Sequence, residues 1–153
     1  MRTRWPGLVC GLAMLIVAAP AQAALNCRIS TPTLAFGNYN AGTSQDLDTS
    51  ANVQLRCQGG TGLVSIALSA GNSGNMEDRH MVSGGGTLDY NAYLNAARTI
   101  IWGDGTGATS VVTRIMTRPR RTVFTIPVYG RIFADQSPIP GAYSDSVVVT
   151  AYF

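Results

Sequence analysis

Residues 53–68 read Val-Gln-Leu-Arg-Cys-Gln-Gly-Gly-Thr-Gly-Leu-Val-Ser-Ile-Ala-Leu, and this stretch decides the fold class. Apolar side chains occupy every second position in its first part, stop at a Gln-Gly-Gly turn, and alternate again from Val64. A period of two is typical of a β-strand with one buried face, whereas a helix repeats its apolar residues every three or four positions. The stretch therefore predicts two consecutive strands joined by a short turn.

The same pattern continues on both sides of this stretch. Short apolar runs alternate with clusters of Gly, Asn, Asp and Ser, and no apolar stripe of helical period reaches a useful length. Further strands are predicted over residues 34–36, 88–94, 100–102, 111–116, 121–133 and 143–153. Pro127 is expected to break the predicted strand at residues 121–133. For the end of the predicted strand at residues 88–94, a helical turn over residues 91–98 is the alternative. The chain is predicted to form one all-β domain, and a sandwich is favoured over a parallel sheet.

The first 23 residues have the features of a secretory signal peptide. Two arginines precede an apolar run over residues 8–19, and Ala-Gln-Ala at residues 21–23 supplies the small side chains of a cleavage site. An apolar run of about 12 residues is too short for a membrane-spanning helix, which needs roughly 20. We therefore expect cleavage before Ala24 and an exported mature domain over residues 24–153.

Removal of the signal peptide changes the cysteine inventory. Cys10 leaves with it, and Cys27 and Cys57 remain as the only pair. Two thiols in an oxidising compartment normally form a disulfide, and a metal site would need more ligands than this pair and a single histidine. We expect a Cys27–Cys57 bridge, no metal and no cofactor. In the loop-entropy model such a bridge contributes roughly 3 to 4 kcal/mol of stability.

The charge of the mature chain is close to zero. Loss of Arg2 and Arg4 lowers the formal net charge from +3 to +1. This balance argues against nucleic acid or an anionic membrane as the dominant partner. Arg118, Arg120 and Arg121 form a local basic cluster, for which a solvated hairpin loop is the expected structure.

Candidate catalytic residues are few. His80 is the only histidine and has acidic neighbours, but no Gly-x-Ser-x-Gly elbow accompanies it. Asp104 lies in a Gly-Asp-Gly segment without the acidic spacing of a calcium loop or the Gly-Lys-Ser/Thr of a phosphate loop, so a tight turn is expected. Asp46 and Asp48 are also expected in a turn, where nothing would separate their pKa values. We predict that the protein is not an enzyme.

The last predicted strand is apolar on both faces. One face carries Val147, Val149, Ala151 and Phe153. An apolar strand with no later segment to pair with its second edge invites a strand from another chain. An ordinary last strand in a finished sheet is the alternative, and periodicity alone leaves both open.

Several short motifs are distributed along the mature chain. They are Leu-Ala-Phe-Gly-Asn-Tyr at residues 34–39, Arg-His-Met at 79–81, Leu-Asp-Tyr-Asn-Ala-Tyr at 88–93, Ala-Arg-Thr at 97–99, Trp-Gly-Asp-Gly at 102–105, Tyr-Gly-Arg-Ile at 129–132 and Gly-Ala-Tyr-Ser-Asp at 141–145. Together with Cys27 and Cys57, these motifs resemble the spore coat protein U domain family, which includes the Csu-type pilins of archaic chaperone-usher pili.

The resemblance implies an incomplete immunoglobulin-like β-sandwich that lacks its final strand. A periplasmic pilus chaperone would fill the resulting groove first, and the N-terminal extension of another pilin subunit would replace it at an outer-membrane usher. Val147, Val149, Ala151 and Phe153 would border this groove, and the cysteine bridge would link the first strand to the next. The implied role is a structural subunit of a cell-surface pilus used in adhesion and biofilm formation, with no nucleic acid partner and no membrane insertion of the mature chain.

The predicted mature N-terminus differs from that of an ordinary fibre subunit. Only residues 24–26 would precede Cys27, whereas a donor segment needs roughly ten residues with alternating apolar side chains. Such a subunit would accept a strand without donating one, and would therefore sit at an end of a head-to-tail fibre, as a tip or terminator.

Two other functions compete with this one. A self-contained spore-coat or matrix protein would be a completed sandwich, secreted as a stable monomer or assembled without chaperone and usher. A carbohydrate-binding module would use exposed aromatic side chains such as Trp102 and Tyr93.

Overall fold

Residues 24–153 are described by the computed structural model, and nearly all regular structure among them is β-strand. The strands are β1 (Asn26–Ser30), β2 (Leu47–Gln58), β3 (Gly62–Leu68), β4 (His80–Ser83), β5 (Gly86–Tyr93), β6 (Ile101–Trp102), β7 (Thr109–Ser110), β8 (Val112–Met116), β9 (Thr122–Ile132) and β10 (Val149–Tyr152). A single 3₁₀ turn spans Gly71–Ser73. The predicted signal peptide lies outside the described residues. Within them, no helix has the length and apolar character needed to span a bilayer.

The strands form two sheets that pack face to face. The larger sheet has the order β1-β2-β9-β5-β6-β7, with β4 added beside β5, and the smaller sheet has the order β10-β3-β8. The predicted all-β, immunoglobulin-like sandwich is confirmed. Among residues 24–153, no strand pairs with the outer edge of β10, so the sandwich is incomplete along this side.

The core lies between the two sheets and uses the alternating residues of the sequence. Val53, Leu55 and Cys57 of β2 pack in one cluster with Val64 and Ile66 of β3. Each of these side chains is almost completely buried, as their period of two predicts. A smaller apolar cluster contains Met81, Leu88, Tyr90 and Ile132.

The predicted strand at residues 34–36 is wrong, because the first strand is β1 at Asn26–Ser30. Pro32 follows β1 closely and has no N–H with which to continue the ladder. The chain then passes over the face of the larger sheet, where a Cβ on Gly130 of β9 would lie 2.6 Å from Phe36 and 2.7 Å from Leu34. Leu34 and Phe36 therefore pack on the sheet instead of extending its edge.

The predicted strand at residues 143–153 is shorter than expected. Ser144 pairs with Val82 of β4, whereas Val148 accepts a backbone hydrogen bond from Ser69, next to the end of β3. The segment thus crosses from one sheet to the other, and only Val149–Tyr152 pairs continuously as β10.

Two further expectations about strands are corrected. Pro127 does not break β9, which pairs with β2 over its whole length. The other neighbour, β5, reaches only Tyr129–Ile132, so no strand of residues 24–153 pairs with this edge of β9 at Pro127, and the missing N–H is tolerated. The helical turn proposed for residues 91–98 is also wrong for its first residues, because β5 continues to Tyr93.

Candidate binding groove

An open groove with a volume of about 1160 Å³ is lined by both sheets. We call the segment 31–39, which follows β1, wall A, and the segment 138–149, which leads into β10, wall B. The floor consists of apolar side chains that are largely buried beneath the walls. They are Val53, Leu68, Met81, Leu88, Tyr90, Ala92, Trp102, Val128 and Ile132. The groove therefore lies directly above the hydrophobic core.

Wall A is held in place by side chains. Leu34 packs against the main core and Phe36 against the smaller cluster. Thr49 Oγ1 donates a 2.8 Å hydrogen bond to the carbonyl of Ala35. Among the described residues, segment 31–39 makes no backbone-to-backbone hydrogen bond. Apart from the Ala35 carbonyl, its C=O groups and the N–H groups of its non-proline residues are available to pair with an added strand.

Wall B is fixed at two points. Ser144 and Val82 exchange backbone hydrogen bonds of 3.0 and 3.2 Å, and the Val148 carbonyl accepts one of 2.9 Å from Ser69. Within the described part of the chain, residues 138–143 and 145–147 make no backbone-to-backbone hydrogen bond. Two walls with unpaired backbone groups thus flank an apolar floor, and an added β-strand requires both features.

The four residues predicted to border the groove are placed differently from one another. Val147 and Val149 line it, whereas Ala151 and Phe153 lie outside its lining. Val149 and Ala151 pack against the core from β10, as their shared face predicts. Phe153 follows the end of β10 and is 58% exposed.

Sequence reasoning missed wall A and, apart from Val147 and Val149, wall B as parts of one site. The alternation of Leu34 and Phe36 was a usable signal of a buried face, but it did not identify the surface that they cover. Residues 138–143 contain two prolines and a glycine, and this composition is typical of a loop. Nothing in their pattern indicated a groove.

Asp145 holds wall B against the floor. Its Oδ2 accepts a 2.7 Å hydrogen bond from the Tyr90 hydroxyl, and its Oδ1 accepts one of 2.8 Å from the Asn72 amide. A Cβ on Gly71 would overlap this carboxylate, and Gly71 has a φ of +68°, so only glycine fits there. Burial, followed by the hydrogen bond to Asp145, raises the pKa of Tyr90, which stays protonated.

Arg79 is completely buried beside the groove floor. Its guanidinium donates to the carbonyls of Ser69 at 2.8 Å, Met76 at 3.1 Å and Trp102 at 2.8 Å, and to Asn91 Oδ1 at 2.7 Å. Burial lowers its pKa. A buried cation surrounded by carbonyl oxygens ties together the loops below wall B, which is a structural role.

Cys27 and Cys57 form a disulfide, so the predicted bridge is confirmed. The two residues lie opposite each other where β1 pairs with β2, and Cys57 is part of the buried core. The bridge therefore fixes β1 immediately before wall A begins.

The catalytic candidates are dispersed over the molecule. His80 lies on β4 opposite Asp89, and Asp104 lies in an exposed turn where hydrogen bonds from Thr106 lower its pKa. Within residues 24–153, no group of three or more His, Cys, Asp or Glu residues could hold a metal ion. These residues form no convergent site.

The turn predicted for Asp48 is wrong, because β2 begins at Leu47. In the strand, Asp48 pairs with Arg131, whose guanidinium donates hydrogen bonds of 2.8 and 2.9 Å to both carboxylate oxygens. These hydrogen bonds are the main reason that the pKa of Asp48 lies below its usual value. Arg131 also forms a 3.1 Å ion pair with Asp46.

The proposed aromatic sugar-binding surface is also wrong. Trp102 is 0% exposed and donates a 3.1 Å hydrogen bond from Nε1 to the carbonyl of Ile66, and Tyr93 is only 7% exposed. Neither ring is exposed enough to stack on a carbohydrate: Trp102 lies in the core between the sheets, and Tyr93 is covered on the other face of β5.

Comparisons with known proteins place this geometry in a family. The model of the Spore Coat Protein U domain matches residues 13–150. No curated protein sequence matches the chain.

Two solved structures have a similar fold. One is the CsuC-CsuE chaperone-tip adhesion subunit pre-assembly complex from archaic chaperone-usher Csu pili of Acinetobacter baumannii, with a TM-score of 0.54 and 23% identity. The match covers 85% of this chain and 40% of that one, so this chain spans about two fifths of its length. The other is a chaperone-usher pilus, with a TM-score of 0.52, 12% identity and 99% coverage of both chains. These similarities show that the sandwich has the pilin fold.

Proposed function

Because the chain belongs to the Spore Coat Protein U domain family, we propose that it is a structural subunit of a chaperone-usher surface pilus. The observation that carries this proposal is the groove, whose apolar floor lies between two walls with unpaired backbone groups. The groove accepts a β-strand from another polypeptide. A periplasmic chaperone supplies this strand first, and another pilin subunit replaces it at the outer-membrane usher.

The lining of the groove suits a strand. A strand of roughly ten residues presents about five side chains to one side, and the floor offers nine apolar side chains to receive them. Its alternate side chains face the floor, where apolar partners are available, and the intervening ones face solvent. Its backbone pairs with wall A on one side and wall B on the other, so hydrogen bonds and buried apolar area both stabilise the complex.

The four residues of the last strand that were predicted to border the groove contribute to partner binding in two ways. Val147 and Val149 line the groove, and Ala151 continues the same face along β10, whose outer edge is unpaired among the described residues. A chaperone strand that pairs with β10 would therefore extend the smaller sheet and cover Phe153, which is largely exposed.

If cleavage occurs before Ala24, we place the subunit at an end of the fibre. There it serves adhesion and biofilm formation. β1 begins at Asn26 and Cys27 is fixed in a disulfide, so this cleavage would leave only Ala24 and Leu25 before β1, and Leu25 packs against the core of its own chain. Two residues cannot fill a groove that takes roughly ten. Mass spectrometry of the secreted form tests the position, and a mature start far upstream of Ala24 would contradict it.

Export with and without a chaperone tests the proposed function. The full chain is produced in a bacterial periplasm, alone or together with its pilus chaperone. We expect degradation or aggregation of the chain alone, because the groove leaves the core open, and a soluble complex when the chaperone is present. A stable soluble monomer without the chaperone would contradict the proposal and favour a self-contained coat or matrix protein.

A further inference from the structure

Five arginines gather at one end of the sandwich, and we call them the arginine end. Arg28 on β1 and Arg56 on β2 lie directly opposite each other, and both are exposed. Arg118, Arg120 and Arg121 occupy the exposed connection between β8 and β9. Since Arg56 pairs with the second residue of β9, this connection adjoins the Arg28–Arg56 pair. The fold therefore brings together three separate parts of the sequence.

No carboxylate of the described residues forms an ion pair with the arginine end. The ion pairs within residues 24–153 involve only Arg98 and Arg131, which contact Asp46 and Asp48 at the other end of β2. Like charges directly opposite each other across two strands repel, so the Arg28–Arg56 pair destabilises the sheet when no anion is bound.

The Asp and Glu side chains of the chain lie away from this end. They lie at the start of β2, on β5, beyond the end of β9, in the loops after β3 and β6, and in wall B. Most already accept hydrogen bonds within the chain, namely Asp46, Asp48, Glu77, Asp78, Asp104 and Asp145. A second copy of the chain therefore has few free carboxylates to offer, and the matching anions come from another kind of molecule.

We propose that the arginine end binds an acidic polysaccharide. The guanidinium groups match carboxylate or sulfate groups in charge and in paired hydrogen-bond geometry. Asn26 and Gln58, which are also opposite each other and exposed, offer polar groups for sugar hydroxyls. Single-stranded nucleic acids bind through aromatic stacking as well as charge, and the exposed positions of β1 and of residues 54–58 carry no aromatic side chain. This surface is separate from the groove.

Binding to defined polysaccharides tests the proposal. The purified mature protein, with its chaperone if one remains bound, is titrated with heparin as the sulfated probe, polygalacturonate as the carboxylated probe and dextran as the neutral one. The chaperone alone is the blank. We expect binding to both acidic chains, weakening as salt increases, and none to dextran.

Matched variants locate the site. Arg56→Gln is expected to weaken binding by about tenfold, the loss of one charge-assisted contact. Arg114→Gln removes the same charge from β8, where Arg114 pairs with Val64 in the smaller sheet, and is expected to change binding little. Arg56→Gln should also raise the melting temperature slightly, because it removes a like-charge pair. A higher melting temperature would show that the weaker binding of this variant is not caused by unfolding.

Three results would overturn the proposal. One is the absence of binding to both acidic polysaccharides. Another is equal weakening by Arg56→Gln and Arg114→Gln. The third is tighter binding to single-stranded DNA of equal charge than to either polysaccharide, which would make nucleic acid the partner.

Discussion

The Tyr90 hydroxyl donates a 2.7 Å hydrogen bond to Oδ2 of Asp145 and so connects the floor of the groove to wall B. Tyr90 is largely buried on β5, and Asp145 lies between the two points where wall B is fixed to the sheets. Asp145 also accepts hydrogen bonds from the Asn72 and Ser146 amides. One carboxylate therefore sets the position of the wall against which an incoming strand would pair.

Asp145→Ala is expected to destabilise the protein by about 1 to 3 kcal/mol, because the buried Tyr90 hydroxyl loses its partner. Urea denaturation of the purified protein measures this change. Asp104→Ala is the matched control, since Asp104 accepts hydrogen bonds only within an exposed turn. Equal losses for the two variants would show that Asp145 does not hold wall B. A double-mutant cycle with Tyr90→Phe isolates the Tyr90–Asp145 contribution.

Asp48 is expected to make stability depend on acidic pH. Hydrogen bonds from Arg131 lower its pKa below the usual value of an aspartate in the folded state. The folded state therefore binds this proton less readily than the unfolded state, and the stabilisation is present above the unfolded pKa and is lost as pH falls through the folded one. Because the Asp48 side chain is 36% exposed, solvent screening limits the contribution to about 1 kcal/mol or less.

Asp48→Asn is accordingly expected to lower the unfolding free energy at pH 7 and to flatten its decline between about pH 5 and pH 2. Denaturation midpoints across this range measure the effect. Asp135→Asn is the control, because Asp135 is exposed and asparagine accepts its left-handed backbone with φ of 58°. An unchanged pH profile in Asp48→Asn would contradict the role of the Arg131–Asp48 pair.

Loss of the Cys27–Cys57 bridge is expected to destabilise the protein by roughly 3 to 4 kcal/mol, since the unfolded chain regains the freedom of the closed loop. Guanidinium denaturation of the oxidised and reduced wild-type protein measures the difference. The Cys27→Ser/Cys57→Ser variant should resemble the reduced protein and should not respond to reductant. If reductant left the wild-type midpoint unchanged, the bridge would have no stabilising role.

Gly130→Ala is expected to weaken strand acceptance. The added methyl group would lie 2.6 Å from Phe36 and 2.7 Å from Leu34, so wall A must move away from β9. We expect at least about tenfold slower or weaker capture of a donor peptide, equivalent to about 1.4 kcal/mol. Gly42→Ala is the control, because a Cβ there meets only Asn40 Oδ1, at 3.4 Å. Equal capture of the donor peptide by both variants would show that wall A does not contribute to strand binding.

The fold class could be predicted from the sequence because side chains on a strand alternate between its two faces, and the buried residues of this chain alternate in the same way. Val53, Leu55, Val64 and Ile66 alternate, and all four face the core. The pairing of strands could not be predicted in the same way. Leu34 and Phe36 also alternate, yet they cover the face of β9, since alternation identifies a buried side but not the surface that buries it.

The candidate site could be predicted only in part. The apolar face of the last strand indicated an open edge, and Val147 and Val149 do line the groove. Wall A and the Tyr90–Asp145 contact depend on residues far apart in sequence, which local patterns do not relate. The formal net charge of the predicted mature chain, +3 less Arg2 and Arg4, likewise gave no sign of the arginine end, because it sums charges without regard to where the fold places them.

Backbone hydrogen exchange of the two walls tests strand acceptance most directly. The mature protein is compared free of partners and bound to a chaperone or donor strand. Exchange is read at residues 33–39, 139–143 and 145–147, which leaves out the Ser144 amide already bonded to Val82, and β9 is the internal reference. We predict fast exchange in both walls of the free protein and strong protection of both in the complex, because the added strand supplies their missing hydrogen-bond partners. Walls already as protected as β9 in the free protein, or unprotected in the complex, would contradict the account.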